Sequence, residues 1–147
     1  MVKALKFLIF SFVLILICGC SDKKALDKEQ ITTKLSNEGF IVSDITLQME
    51  DENVTCVLVA NNSKYNIEYY RFKDKKLATE AYENNKKAFE KYKSNGKETQ
   101  KDTYKKYTQE LSDTYNSLTV IDNTLIYASI NIEYKSDLKS VLKNIGY

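Results

Sequence analysis

Hydrophobic positions along the chain follow three patterns, and each pattern predicts a different kind of element. Residues 7–17 (FLIFSFVLILI) form one continuous apolar run. Further along, apolar residues recur at spacings of three and four, as in amphipathic helices, or alternate with polar residues, as in half-buried strands. The pattern therefore predicts a short apolar leader followed by a body that mixes helices and strands.

The first predicted helix is marked at both ends by capping residues. Asp27 suits the N-cap position, and Gln30 follows three residues later as in a capping box. Gly39 suits the left-handed position after the helix, with Phe40 placed to contact Leu35 as in a Schellman ending. These signals predict a helix that begins after Asp27 and ends just before Gly39.

Two more helices are predicted further along the chain. Asp74 caps a long helix that runs to about Lys93, and a polar loop follows at 97–101. The last helix begins at Ser136. It carries apolar residues at the spacing i, i+3, i+4, i+7, namely Leu138, Val141, Leu142 and Ile145.

Six strands account for the remaining patterned segments, at 41–49, 54–60, 65–72, 103–111, 115–121 and 124–132. The first is expected to place Ile41, Ile45, Leu47 and Met49 on one face. The second is apolar on both faces, which favours a central strand. Asp122 and Asn123 form a two-residue hairpin turn that sets Val120 beside Leu125 and Leu118 beside Tyr127. The element order is αβββ-αβββ-α, which predicts one α+β domain at 26–147, an antiparallel sheet with packed helices.

The start of the chain carries a secretion signal. Lys3 and Lys6 precede the apolar run, which at roughly 1.5 Å per residue covers about half the hydrocarbon thickness of a bilayer, so a cleaved signal is favoured over an uncleaved anchor. Next comes Ile17-Cys18-Gly19-Cys20, which resembles the lipobox of bacterial lipoproteins. The resemblance implies a signal peptide at 1–19, cleavage between Gly19 and Cys20, a diacylglyceryl group on the Cys20 sulfur, and a lipidated tether at 20–25. The other alternative is a plain secretory signal in which Cys20 is not modified.

In layout and composition the chain is similar to the small lipoproteins of Gram-positive bacteria. That resemblance implies a location on the extracytoplasmic face of the cell membrane, with the membrane as partner through the lipid anchor. Two acyl chains give a stable anchor at about 0.8 kcal/mol per buried methylene.

Composition narrows the functional classes. The chain has no His, and its only Arg is Arg71, so general-base catalysis by His and bidentate phosphate recognition by several Arg are excluded. Without Lys3 and Lys6, the 22 basic side chains fall to the number of the 20 acidic ones. A neutral extracytoplasmic domain is not expected to bind nucleic acid.

The chemical candidates are few. Cys56 has no disulfide partner once Cys18 is cleaved off and Cys20 is acylated, and we expect it in the core rather than as a reactive thiol. Residues 50–53, with Asp44 nearby, carry oxygen donors for Ca²⁺ but lack the glycine and spacing of an EF-hand, so a solvated turn is expected. No metal or cofactor site is predicted.

Tyrosine is the one compositional feature that points to binding, since it gives large amphipathic contact area at low entropy cost. The candidate binding surface comprises Tyr65, Tyr69, Tyr70, Tyr104, Tyr107 and Tyr115. The alternative is that these residues serve only as strand formers.

The function expected from the sequence is that of a non-enzymatic interaction module tethered to the membrane, with an envelope protein or wall polymer as partner. A small-ligand carrier is one alternative, and it requires a pocket with convergent polar groups. An envelope hydrolase that uses carboxylates or a Ser-Lys pair is the other, and it requires perturbed ionisable residues in a cleft.

Overall fold

The computed structural model describes residues 22–92 and 95–147. The predicted leader and lipobox lie outside these residues. The helices are α1 (Lys28–Asn37), α2 (Lys75–Glu90) and α3 (Lys135–Ile145). The strands are β1 (Ile41–Asp44), β2 (Val54–Asn61), β3 (Asn66–Phe72), β4 (Lys97–Gln100), β5 (Tyr104–Glu110), β6 (Thr114–Ile121) and β7 (Thr124–Asn131).

The strands form one antiparallel sheet between two layers of helix. Its order is β1-β2-β3-β7-β6-β5-β4. Helices α1 and α3 pack on one face, against side chains such as Leu58, Ile67 and Ile126. Helix α2 packs on the other face, against Leu118 and Leu125. We call these the two-helix face and the one-helix face. The predicted class, an antiparallel α+β sheet with packed helices, is confirmed.

The predicted helix ends are present. The Asp27 carboxylate accepts a hydrogen bond from the Gln30 backbone N–H at 2.8 Å, and the Gln30 side chain accepts one from the Asp27 N–H at 3.0 Å. At the other end, Gly39 has φ +85° and the Phe40 N–H donates to the Leu35 carbonyl at 3.1 Å. The capping residues therefore correctly predicted both ends of α1.

The central hairpin and the last helix also match their predictions. Strands β6 and β7 pair with Val120 opposite Leu125 and Leu118 opposite Tyr127, around a turn in which Asp122 has φ +51°. All four apolar positions of α3 are buried, at Leu138, Val141, Leu142 and Ile145.

The predicted strand at 41–49 is wrong beyond Asp44. The Asp44 carboxylate accepts hydrogen bonds from the backbone N–H and hydroxyl of Thr46, and the Thr46 hydroxyl accepts one from the Val57 N–H at 2.9 Å. These bonds curl the chain into a short 3₁₀ helix at Thr46–Gln48. Ile41 and Leu47 are consequently 77% and 102% exposed, and the expected apolar face does not form.

The second half has one strand more than predicted. The expected loop at 97–101 contains the edge strand β4, which pairs with β5. All four of its residues are polar and exposed, so no alternation marked it. Helix α2 ends at Glu90, earlier than predicted, and the order becomes αβββ-αββββ-α. Strand β2 pairs on both sides yet lies only one strand from the sheet edge, so it is interior rather than central.

Candidate functional site

The six tyrosines of the predicted binding surface do not form one surface, and that prediction is corrected. Four are buried, with exposed fractions of 6% or less: Tyr65, Tyr69, Tyr107 and Tyr115. They divide between the two cores. The Tyr69 hydroxyl donates to the Leu26 carbonyl at 2.7 Å, which ties the sheet to the chain before α1. These side chains stabilise the fold.

Tyr70 and Tyr104 are partly exposed, but they lie on opposite faces of the sheet. Tyr104 borders the core of the two-helix face. Tyr70 borders the core of the one-helix face, where it lies at an elongated depression. Of the six, Tyr70 contributes to the site described next, and the largely buried Tyr65 borders its far end.

The depression, which we call the β3–β7 groove, follows strands β3 and β7 on the one-helix face. One part is a cavity of about 350 Å³ next to α2, lined by Glu68, Tyr70, Phe72, Ala81, Asn85, Leu125 and Tyr127. A second cavity of about 390 Å³ shares Glu68 and Tyr127 and continues along Asn66, Ser129 and Asn131. The shared residues make the two cavities one continuous groove.

Strand parity explains why these side chains meet. Glu68 pairs with Tyr127 and Tyr70 pairs with Leu125, so alternate residues of both strands point to the same face. Helix α2 contacts β6 more extensively than it contacts β3 or β7. The polar and aromatic side chains of β3 and β7 are therefore left at its side, with Ala81 and Asn85 as the helix wall.

The groove combines aromatic surface with hydrogen-bonding groups. The ring centres of Phe89 and Tyr127 lie 5.7 Å apart in a stacked arrangement, which supports the floor. The Tyr70 hydroxyl donates to the Glu68 carboxylate. Burial, and then this hydrogen bond, raise the pKa of Tyr70, and burial raises the pKa of Tyr127. Both phenols therefore stay neutral at ordinary pH.

Tyr127 and Glu68 were not among the predicted site residues. The prediction grouped tyrosines that are neighbours in sequence, whereas a strand sends neighbours to opposite faces. Tyr69 and Tyr70 show this directly, since one is in the core and the other lines the groove. The predicted hairpin register had already set Tyr127 beside Leu118, and parity applied across strands was the signal that could have found it.

The remaining candidates have separate surroundings. Cys56 is 5% exposed, and burial raises the pKa of its thiol, so the prediction of a core cysteine is confirmed. Asp44 contacts Lys28 rather than the acidic turn. Across residues 22–92 and 95–147 no group of three His, Cys, Asp or Glu side chains is placed to hold a metal ion. No helix in the same ranges has the length and apolar character needed to cross a membrane.

The hydrolase alternative requires carboxylates or a Ser-Lys pair in a cleft, and Lys106 is a lysine that shares a sheet face with two hydroxyl residues. Burial, and then the charges of Lys23 and Lys139, lower the pKa of this lysine to about 8. Thr119 is its cross-strand neighbour. The Thr119 and Ser117 hydroxyls have no hydrogen-bond partner within the described chain, so neither is paired with the amine.

A further cavity, of about 550 Å³, lies between the start of α2 and the turn joining β4 to β5. It is lined mainly by polar side chains of this turn and helix, such as Thr79, Gln100 and Asp102. Among the described residues, Tyr104 is the one aromatic residue in its lining, whereas the β3–β7 groove has Tyr70, Phe72 and Tyr127.

Comparisons with known proteins give one structural similarity. No family model matches the chain, and no curated protein matches it. Among solved structures, the chain is similar to the crystal structure of a GTP binding regulator from Thermotoga maritima, with 12% sequence identity and a TM-score of 0.49. The match covers 82% of this chain and 88% of that one.

Proposed function

We propose that the protein is a lipid-anchored, non-enzymatic binding module on the outer face of the cell membrane, which holds a linear wall polymer in the β3–β7 groove. The lipobox at 17–20 supports the anchor, through acylation of Cys20 after cleavage behind Gly19. The observation that carries the binding function is the groove itself, in which two partly exposed tyrosines lie beside a carboxylate and several amides.

The shape of the groove favours a polymer strand over a folded protein. Protein interfaces commonly bury about 800 Å² on each partner and are broad. The groove instead follows two strands, and β7, with eight residues, spans roughly 25 Å at about 3.3 Å per residue. Two joined cavities of small-ligand size suit consecutive units of a chain.

The lining chemistry favours sugar units in that polymer. The rings of Tyr70 and Tyr127 offer apolar surface for a sugar ring to pack on, and aromatic side chains bury large areas at low entropy cost. Glu68, Asn66 and Asn131 supply acceptors and donors for hydroxyl groups around it. Since both phenols stay neutral, they add two more hydroxyl groups.

The position of the tether is compatible with this role. Asp22 lies two residues after Cys20, a distance of about 7 Å at most for an extended chain. Lys23 and Lys24 border the turn at Asp122, whereas Ser129 and Asn131 lie at the far end of β7. The groove thus runs from the tether end of the domain toward the end that faces away from the anchor.

Binding to purified wall glycan tests the groove. We expect the full-length protein in a neutral detergent to bind the polymer, and Tyr127→Ala to weaken binding by about tenfold, equal to about 1.4 kcal/mol. Glu68→Gln, which keeps the shape of the side chain, should also weaken it. Tyr92→Ala is the matched control, because Tyr92 is 63% exposed and does not line the groove.

Equal binding by wild type, Tyr127→Ala and Glu68→Gln contradicts the proposal. Crosslinking in cells separates the other partner class. If an envelope protein is crosslinked at Glu68 or Tyr127 while purified glycan does not bind, the groove serves a protein partner instead and the glycan assignment is wrong.

The anchor is tested independently of the groove. We expect mass spectrometry of the mature protein to find a diacylglyceryl group on Cys20, and Cys20→Ala to abolish processing and lipidation. An unmodified Cys20 thiol in the mature product would contradict lipidation while leaving the groove experiments valid.

A further inference from the structure

A cluster of three lysines lies on the two-helix face, beside α3 and next to the tether. We call it the lysine cleft, and it comprises Lys23, Lys106 and Lys139 around the hydroxyls of Ser117 and Thr119. Lys106 on β5 and Thr119 on β6 are directly paired, and Thr108 and Ser117 are the next pair on the same face. Lysine and hydroxyl groups therefore share one side of the sheet.

The two outer lysines are held over aromatic rings. The Lys23 amine lies 5.2 Å from the ring centre of Tyr104 and donates a hydrogen bond to the Gly146 carbonyl at 3.1 Å. The Lys139 amine lies 5.9 Å from the ring centre of Tyr115. Tyr104 and Tyr115 both belong to the core of this face. The rings flank the Lys106–Thr119 pair, one on each side along the strands.

Unlike several other lysines in the described ranges, the three lysines of the lysine cleft are not in a direct ion pair with a carboxylate. Lys28, Lys86, Lys105 and Lys135 each contact an Asp or Glu. In the described ranges, Lys23, Lys106 and Lys139 form no ion pair. Lys106 is partly buried, and its pKa is lowered to about 8 by burial and then by the other two lysines. The three amines thus form a local excess of positive charge, which Glu110 offsets in part at the Lys139 end, where it is paired with Lys135.

The floor of the lysine cleft holds buried hydroxyl groups. Ser117 is 1% exposed and Thr119 is 0% exposed. Neither hydroxyl has a hydrogen-bond partner in the structure over residues 22–92 and 95–147. A buried hydroxyl without a partner is destabilising, so each indicates a missing acceptor or donor. An anion with several oxygens satisfies both the hydroxyls and the amines.

We propose that the lysine cleft binds a phosphate-type anion, with Lys106 at its centre, Lys23 and Lys139 at its sides and the two hydroxyls as additional donors. The ligand is either inorganic phosphate or the phosphate of an anionic lipid headgroup, because Lys23 lies three residues after Cys20. The site is separate from the β3–β7 groove, which lies on the other face of the sheet.

Calorimetric titration with inorganic phosphate tests the site directly. The full-length protein in neutral detergent is expected to bind phosphate, and Lys106→Met is expected to reduce the affinity by at least about tenfold. Lys87→Met is the matched control, because Lys87 is an exposed lysine on α2, on the opposite face. Thermal unfolding of Lys106→Met should show a fold at least as stable as wild type, which separates lost binding from lost structure.

Proteoliposomes then distinguish the two sources. If a lipid headgroup occupies the lysine cleft, phosphatidylglycerol in the bilayer competes and lowers the apparent affinity for inorganic phosphate relative to phosphatidylcholine alone. If free phosphate is the ligand, the two affinities are equal. The proposal is overturned if wild type does not bind phosphate, or if Lys106→Met binds it as well as wild type. Wall-glycan binding by Lys106→Met should be unchanged, so this failure is distinguishable from failure of the groove.

Discussion

Gly96 precedes β4 at a point where the backbone packs directly against Tyr107. An added Cβ at Gly96 would overlap the hydroxyl and two ring carbons of Tyr107. Tyr107 is 4% exposed, so its ring has little room to move. Gly96→Ala is therefore expected to lower the free energy of unfolding by about 1–3 kcal/mol, as overpacking does in other cores. Denaturant unfolding measures this, with Asn95→Ala as the control at an exposed neighbour. An unchanged unfolding midpoint would show that the loop can shift away.

Individual residues also show which part of the site could be predicted. Burial of Cys56 was predictable because a free thiol on an apolar strand face belongs in a core. The groove was not, because its members come from three elements that are far apart in sequence. Tyr70 was identified by composition, whereas Glu68 and Tyr127 required the β3–β7 pairing. The sequence of one strand does not show which distant strand it pairs with, so the pairing of β3 with β7 could not be predicted from either strand alone.

Among the elements, β4 shows how a polar strand forms without a hydrophobic pattern. Its residue Glu98 accepts a hydrogen bond from the buried Tyr82 hydroxyl at 2.9 Å and contacts the Lys86 amine, and both partners belong to α2. Glu98→Ala removes both contacts. We expect faster amide hydrogen exchange in β4 and a loss of about 1 kcal/mol in unfolding free energy. Glu90→Ala is the control, since Glu90 forms only an exposed pair with Lys86. Equal exchange rates in both variants would show that backbone pairing alone holds the strand.

The elements that were predicted well are those with local signals. Helix α1 has both caps, α3 has a full apolar stripe, and the β6–β7 hairpin has a turn sequence. The strand at 41–49 was overextended because the contact from Thr46 to the Val57 N–H, eleven residues away, ends it. Local chemistry therefore predicted most of the fold, and tertiary contacts decided the two errors.

At the scale of the whole molecule, lysine–carboxylate pairs join each helix to the sheet. Within the described ranges there is one pair for α1, one for α3 and two for α2, where Lys105–Glu83 is the second. Lys28–Asp44 joins α1 to β1, Lys86–Glu98 joins α2 to β4, and Lys135–Glu110 joins α3 to β5. Hydrogen bonding to the lysine is the largest cause that lowers the pKa of the Asp44, Glu98 and Glu110 carboxyls.

These lowered carboxyl pKa values predict a loss of stability in acid. Below about pH 5 the unfolded state binds more protons than the folded state. The contribution of the pairs to the unfolding free energy is therefore present above the ordinary carboxyl pKa of about 4 and is lost as pH falls. Acid titration of the unfolding free energy should show this loss, reduced by salt; no loss down to pH of about 2 would contradict it.

The lysine cleft gives a second rise of stability with pH, on the alkaline side. The pKa of Lys106 is lowered to about 8 in the folded protein, below its ordinary value of about 10.4, so the unfolded state binds more protons between these values. Folding stability should therefore rise from about pH 8 toward pH 9.5, before the tyrosines ionise. Lys23 and Lys139 are the charged groups that face Lys106, and their charges contribute to the lowered pKa.

Lys106→Met should remove the rise of stability between about pH 8 and pH 9.5. This variant should also be more stable than wild type near pH 7, because the charge without an ion-pair partner is gone. Saturating phosphate should stabilise wild type but not this variant. If the unfolding free energy of Lys106→Met still rises between about pH 8 and pH 9.5, another group causes the rise. The assignment of an unpaired charge to Lys106 is then wrong.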